Sequence, residues 1–250
     1  MRYFLDISYK GTAFHGWQKQ PNAHTVQESL EDAMKVVLRQ PVDLTGSGRT
    51  DTGVHALQQM VHFDIDRSLD QDFIYKLNHI LPESIVANRL YRVPEQSHAR
   101  FDAVSRSYEY HIHTSKDPFV LQQSYWVRPK IDIDRLNAAA RYLMGKQDFC
   151  SFSKVHTDVA HFTCEVTEAR WEQQGNKVVF HVTANRFLRG MVRALVGTML
   201  EVGIGKKDPQ WIKEILDAKD RKAAGRAVDP EGLFLTRIVY PVSVLGTQIL

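Results

Sequence analysis

Gly46-Ser-Gly-Arg-Thr-Asp-Thr-Gly-Val-His-Ala56 sets an arginine, an aspartate and a histidine among three glycines. Asp51 sits at the centre of the stretch, one residue past an Arg-Thr pair. Glycine and aspartate are ordinary turn formers, so a turn aspartate is the first reading. A phosphate-cradling loop is a second, but the Gly-Lys-Ser or Gly-Lys-Thr ending that such a loop needs is missing. A glycosidase or nucleosidase site would require another acid beside Asp51. Asp43, Asp64 and Asp66 are near in sequence and have no motif around them. The loop alone does not choose.

Other chemistry-bearing residues are equally two-sided on their own. Tyr108 in Arg106-Ser-Tyr-Glu-Tyr110 reads as a core tyrosine of a strand, and Tyr110 shares its face by the period of two. His111 and His113 resemble a metal pair, but no third ligand follows at suitable spacing, and strand alternation explains them. His55 and His62 read as local hydrogen-bonding groups. Arg186, Arg189 and Arg193, with Lys206 and Lys207, form a basic run that is either a solvated helix face or a track for a nucleic-acid backbone. Cys150 and Cys164 have no CxxC arrangement, which argues against a zinc site or a disulfide framework.

These residues belong to a chain of 250 with 43% hydrophobic and 24% charged residues, as expected of a globular protein with a real core. A net charge of +3 permits a nucleic-acid partner without requiring one. The N-terminus carries Asp6 within its apolar run and reads as a strand rather than a signal peptide. No uncharged apolar run reaches the length of a membrane span, so the expectation is a soluble cytoplasmic protein without a membrane partner.

The elements that must position the loop follow from periodicity. Arg2 to Tyr9 alternates as a half-buried strand, with Tyr3, Leu5, Ile7 and Tyr9 on one face. Thr25-Val-Gln-Glu28 is a capping box opening a helix with Val26, Leu30, Ala33, Met34 and Val37 as its stripe. Val42 to Thr45 is a short strand entering the glycine-rich loop, and Gln58 to Ile65 a strand leaving it. Phe73 to Leu81 forms a helix, and Ser84 to Val93 a strand. The second half repeats the order: strand Arg106 to Thr114, helix Ile133 to Met144, a hairpin turning at Gly175-Asn176, helix Phe187 to Val202, a helix capped by Asp208-Pro209, and strand Leu233 to Tyr240. Each half reads as a split βαβ, ferredoxin-like unit. The expected fold is α+β, with residues 1–104 and 105–250 as two ferredoxin-like halves. Their mixed sheet would carry helices on one face and a central active-site cleft.

The glycine-rich loop resembles the signature of the TruA-type tRNA pseudouridine synthases. Further stretches match the same family in order: Tyr9-Lys-Gly-Thr, Gly16-Trp-Gln, Thr25-Val-Gln-Glu, His98-Ala-Arg-Phe101, Arg106-Ser-Tyr-Glu-Tyr110, Phe187-Leu-Arg-Gly-Met-Val-Arg193 and Glu231-Gly-Leu233. They span nearly the whole chain. Ser47 stands where the family usually has alanine, and Lys10 where it usually has aspartate; neither is a catalytic position.

The resemblance implies an isomerase that breaks the N-glycosidic bond of a uridine, turns the base and rejoins it to the ribose through carbon. Asp51 takes the catalytic position. A fixed carboxylate stabilises or captures the positive charge of a sugar losing its base, and a nearby arginine keeps it ionised. By resemblance Arg193 pairs with Asp51, Arg49 fills the space left by the extruded base, and the Tyr108 ring stacks on the target uracil. The implied substrate is tRNA at positions 38, 39 and 40 of the anticodon stem and loop. The implied enzyme is a homodimer needing neither metal nor organic cofactor. A non-catalytic RNA-binding module is the rival reading, disfavoured by the joint presence of Asp51, Arg49, Tyr108 and Arg193.

Overall fold

The structure, a computed structural model, describes residues 1–154, 159–245 and 248, and these form ten β-strands and five α-helices. They group into two units, Met1–Val104 with Phe234–Leu250, and Ser105–Leu233.

In the first unit the order is β1 (Arg2–Tyr9), α1 (Val26–Leu38), β2 (Thr45–Gly46), β3 (His55–Asp64), α2 (Phe73–Ile80) and β4 (Ile85–Val93). The strands lie in the order β4-β1-β3-β2, with every neighbouring pair antiparallel. That is the split βαβ arrangement expected from the sequence. Helix α1 starts where the capping motif places it, for Thr25 Oγ1 accepts the Glu28 N–H at 3.3 Å. Its stripe of Val26, Leu30, Ala33 and Met34 is buried. Helix α2 packs on both α1 and β4.

Strand β1 departs from a half-buried pattern. Tyr3, Leu5 and Ile7 are buried as the alternation predicts, but Phe4 and Asp6 on the opposite face are buried too. The cause is nonlocal: Phe4 meets the edge of Tyr240 at 5.4 Å and stacks on His62 at 6.0 Å. Asp6 Oδ2 accepts from Gln58 Nε2 at 3.1 Å. Burial pushes the Asp6 pKa above the usual carboxylate range.

The second unit runs β5 (Ser105–His113), β6 (Tyr125–Trp126), α3 (Ile133–Ala140), β7 (Gly145–Asp148), β8 (Thr163–Gln174), β9 (Lys177–Ala184), α4 (Met191–Gly203) and α5 (Trp211–Ala218). Its strands lie in the order β5-β9-β8-β7, all antiparallel, with β6 running parallel to the end of β5. The hairpin turns at Gly175, whose φ of +59° suits glycine. Helix α3 packs on α4 and β8. Beneath them Trp171 lies 4.8 Å from Phe180 and sends its N–H to Met199 Sδ. Each buried aromatic or aliphatic side chain of this kind contributes about 1.5–3 kcal/mol.

Two helix boundaries differ from the periodic pattern. Helix α3 tightens to a 3-10 turn over Arg141–Leu143 instead of continuing to Met144. Helix α4 begins at Met191, not Phe187, because Gly190 takes the left-handed conformation at φ +71° and sets the helix start after it. After α5 the chain forms β10 (Leu233–Val239), which pairs in parallel with the start of β3, Phe234 against His55 and Leu235 against Ala56.

Candidate active site

The residues between β2 and β3 form a loop tied down from three directions. Ser47 is 1% exposed; its N–H donates to Met60 O at 2.8 Å, and its hydroxyl donates to Gln59 Oε1 at 3.0 Å. Gln59, fully buried on β3, returns a bond from Nε2 to Gly48 O at 2.8 Å. Ser47 therefore partners a buried amide oxygen.

Beyond Gly48 the side chains alternate. Arg49 is exposed and donates from Nε to Gln18 Oε1 at 3.2 Å. Thr50 is buried, its hydroxyl 2.8 Å from the Tyr9 hydroxyl, and its carbonyl accepts the Trp17 N–H at 3.2 Å. Asp51 is half-buried, and its carbonyl accepts from Val54 N at 3.2 Å. Gly53 N–H donates to Phe14 O at 3.3 Å.

Two glycines allow this close packing. A Cβ on Gly16, whose φ is +89°, would collide with the Thr50 carbonyl, and one on Gly11 would collide with the Val54 carbonyl. Gly11 N–H also donates to His55 Nδ1 at 3.0 Å, and the His55 ring stacks on Phe234 at 4.6 Å. The stretches Tyr9-Lys-Gly-Thr and Gly16-Trp-Gln, separate in sequence, thus become the bed on which the Arg49–Asp51 segment lies.

In the second unit Tyr108 is half-buried on β5, opposite Val182, and its ring meets that of Phe187 edge-on at 4.9 Å and 80°. Tyr110, two residues on, is completely buried and donates to Asp229 O at 2.7 Å. Burial pushes its phenol pKa far above the usual range. Arg193, in the first turn of α4, is half-buried and donates from Nε to Val228 O at 2.7 Å, while Val228 N–H donates to Arg193 O at 3.2 Å. The 228–229 segment is thereby held both by Arg193 and by Tyr110.

The remaining sequence candidates have local partners. His111 Nε2 lies 2.8 Å from Glu109 Oε2, and His113 Nδ1 lies 3.0 Å from Ser124 Oγ. Of the basic run, Arg186 meets His161 at 3.2 Å, Lys206 pairs with Glu201 at 3.4 Å, and Lys207 lies over the Trp211 ring at 5.0 Å. Arg189 is exposed. Both cysteines are free thiols, and burial raises the Cys164 pKa to about 11. Among the described residues, no three His, Cys, Asp or Glu side chains gather as a metal site, and no helix is long and apolar enough to cross a membrane.

The loop thus brings Arg49 and Asp51 together, and Tyr108 and Arg193 share the second unit. Sequence reasoning missed Tyr9, Gln18, Thr50, Gln59 and Phe187 as supporting residues. Four of the five lie within stretches already singled out as motifs. Gln59 carried no signal, because a polar residue on an alternating strand reads as solvent-facing.

Comparison with known proteins places this architecture among relatives. Residues 7–102 and 139–241 match the family model described as tRNA pseudouridine synthase. A protein named tRNA pseudouridine synthase A from Parabacteroides distasonis is 44% identical over 250 residues, covering 99% of each chain. The protein of that name from Porphyromonas gingivalis is 44% identical over 245 residues, covering 96% of this chain and 97% of its own. From Clostridium perfringens, tRNA pseudouridine synthase A 2 is 38% identical over 239 residues, covering 94% of this chain and 98% of its own.

Proposed function

The chain belongs to the tRNA pseudouridine synthase family, and on that premise we propose that it isomerises uridine to pseudouridine at positions 38, 39 and 40 of the anticodon stem and loop of tRNA. The observation that carries this reading is the loop around Asp51, half-buried and bonded to β1, β3 and the Gly16-Trp17 turn. A carboxylate on so constrained a backbone is preorganised for charge that develops at one place.

The reaction exchanges one bond for another. The bond between N1 of uracil and C1′ of ribose breaks, the base turns, and C5 bonds to C1′. C5 then gives up its proton, and N1 gains one, so the product is an isomer of the substrate. C1′ carries oxocarbenium-like charge when its base departs, and the Asp51 carboxylate is the group that answers it. Attack on the ribose, attack on the base and deprotonation of the sugar to a glycal all use that carboxylate. By the family resemblance, Arg193 is the cation that partners it. Arg49, exposed beside it, occupies the space left by the extruded base, and Tyr108 offers its ring to the uracil. The working enzyme is a cytoplasmic homodimer with one tRNA spanning both subunits.

Release of tritium from tRNA carrying 5-tritiated uridine follows the C5 step. Asp51→Asn and Asp51→Ala are expected to abolish release while tRNA affinity stays within about twofold, because the carboxylate acts on the transition state rather than on docking. Near-normal turnover by Asp51→Asn would remove Asp51 from the chemistry. Free uracil in place of pseudouridine would identify a nucleosidase instead.

A further inference from the structure

We infer that Tyr9 is a positioning residue for the reaction, acting through Thr50 to set the two groups on either side of it, Arg49 and Asp51. The inference rests on the assignment of Asp51 as the catalytic carboxylate. Along 49–51 the side chains alternate as exposed, buried and half-buried, so Thr50 points into the protein between two residues that do not. Its inward hydroxyl lies 2.8 Å from the Tyr9 hydroxyl, with both residues less than a tenth exposed. Both hydroxyls are screened from bulk water, so losing this bond costs more than losing an exposed one.

Tyr9 has a rigid mount. It is the last residue of β1, paired with Ala56 of β3 on one side and with Ile85 of β4 on the other. The two strands fix its backbone, and its hydroxyl meets the loop at Thr50. The Thr50 carbonyl is held separately by Trp17 N–H over the Cβ-less Gly16. The main chain is thus anchored without Tyr9, and what the hydroxyl pair adds is rotational setting of the segment. A carboxylate displaced by even about 1 Å from its productive position can cost about a hundredfold in rate.

The mechanism demands nothing of Tyr9 as an acid or base. Its hydroxyl is buried against Thr50, and the role proposed is geometric. A merely structural tyrosine would lower stability and leave turnover per folded molecule intact. A positioning tyrosine lowers kcat and leaves KM and tRNA affinity alone.

The test is steady-state pseudouridine formation on full-length tRNA by the intact enzyme, with thermal unfolding and tRNA binding measured for every variant. Tyr9→Phe and Thr50→Val each remove one hydroxyl at nearly constant volume. Each is expected to lower kcat by about 10- to 100-fold with KM changed less than about twofold. The double variant should be no slower than either single variant, since both break the same bond. Thr50→Ser, which restores a hydroxyl, should recover most of the turnover lost in Thr50→Val. Wild-type kcat in Tyr9→Phe, or multiplicative losses in the double variant, would overturn the inference, as would a loss confined to KM or to the folded fraction. Asp51→Asn separates the two proposals. An inactive Asp51→Asn beside a fully active Tyr9→Phe overturns positioning alone, whereas an active Asp51→Asn overturns both.

Discussion

Tyr108 and Tyr110 are separated by one residue of β5 and differ in what their surroundings leave available. Tyr110 is completely buried and spends its hydroxyl on the Asp229 carbonyl, so it belongs to the core. Tyr108 is half-buried and meets the ring of Phe187 edge-on. An edge-on neighbour supports a ring without covering both of its faces, which suits a stacking platform for an unstacked base. If the face is what matters, Tyr108→Phe should bind tRNA and turn over within about threefold of the wild type. Tyr108→Leu should lose roughly 1–3 kcal/mol of base stacking, a drop of about tenfold or more in kcat/KM. A large loss in the phenylalanine variant would move the role to the hydroxyl, where proton transfer at the base is the natural task. Equal, near-normal activity in both variants would return Tyr108 to the core.

Elements set these side chains through contacts that the sequence carries unevenly. Gly16 shows the coupling: its φ of +89° and the Thr50 carbonyl against its Cα exclude a side chain. Gly16→Ala combines backbone strain with overpacking, about 2–5 kcal/mol together. Urea unfolding should show that loss, and turnover should fall even in the fraction still folded, since the collision pushes directly on the segment bearing Asp51. A change below about 0.5 kcal/mol would mean the turn relaxes away from the loop. What was legible beforehand has local causes. Helix α1 could be read from its capping box and stripe, and the β8–β9 hairpin from Gly175-Asn176, because neighbours in sequence make the decisive contacts. The start of α4 hung on the left-handed Gly190, which periodicity does not register. Burial of Phe4 and Asp6 hung on Tyr240 and Gln58, far away in the chain. The pairing of β10 with β3 is equally remote, and alternation says that a strand exists without saying beside which strand it lies. The same division runs through the site. Arg49 and Asp51 stand in one contiguous motif, whereas their support by Tyr9 and Gln59 exists only after folding.

For the molecule as a whole, charge balance decides how stability responds to acid. The chain carries a net charge of +3 with its 11 histidines neutral, so falling pH adds repulsion while testing each buried imidazole. His62 resists protonation. Burial, then the charge of Arg2 and the neighbouring His98, push its pKa down to about 4, against the weaker pull of Asp64 and Asp102. Geometry agrees, because His62 Nδ1 accepts the Ala99 N–H at 3.1 Å and would lose that role if protonated there. A histidine whose folded pKa lies below its unfolded value of about 6.5 leaves stability intact above pH 6.5. As pH falls from there towards 4, the unfolded chain takes up the proton first, and stability drains away on the order of 2 kcal/mol after allowance for solvent screening. The Asp64 carboxylate, held below its ordinary range by the Arg2 hydrogen bond, acts in a lower window, since its contribution is lost only under about pH 4. His98 is shifted in the same direction as His62, so part of the slope belongs to it. Urea unfolding of the wild type should therefore weaken steadily between pH 6.5 and 4.5. His62→Gln, which keeps an acceptor for Ala99 and cannot titrate, should be less stable at pH 7 but distinctly flatter across that window. Parallel curves for the two proteins would show that the acid sensitivity resides elsewhere.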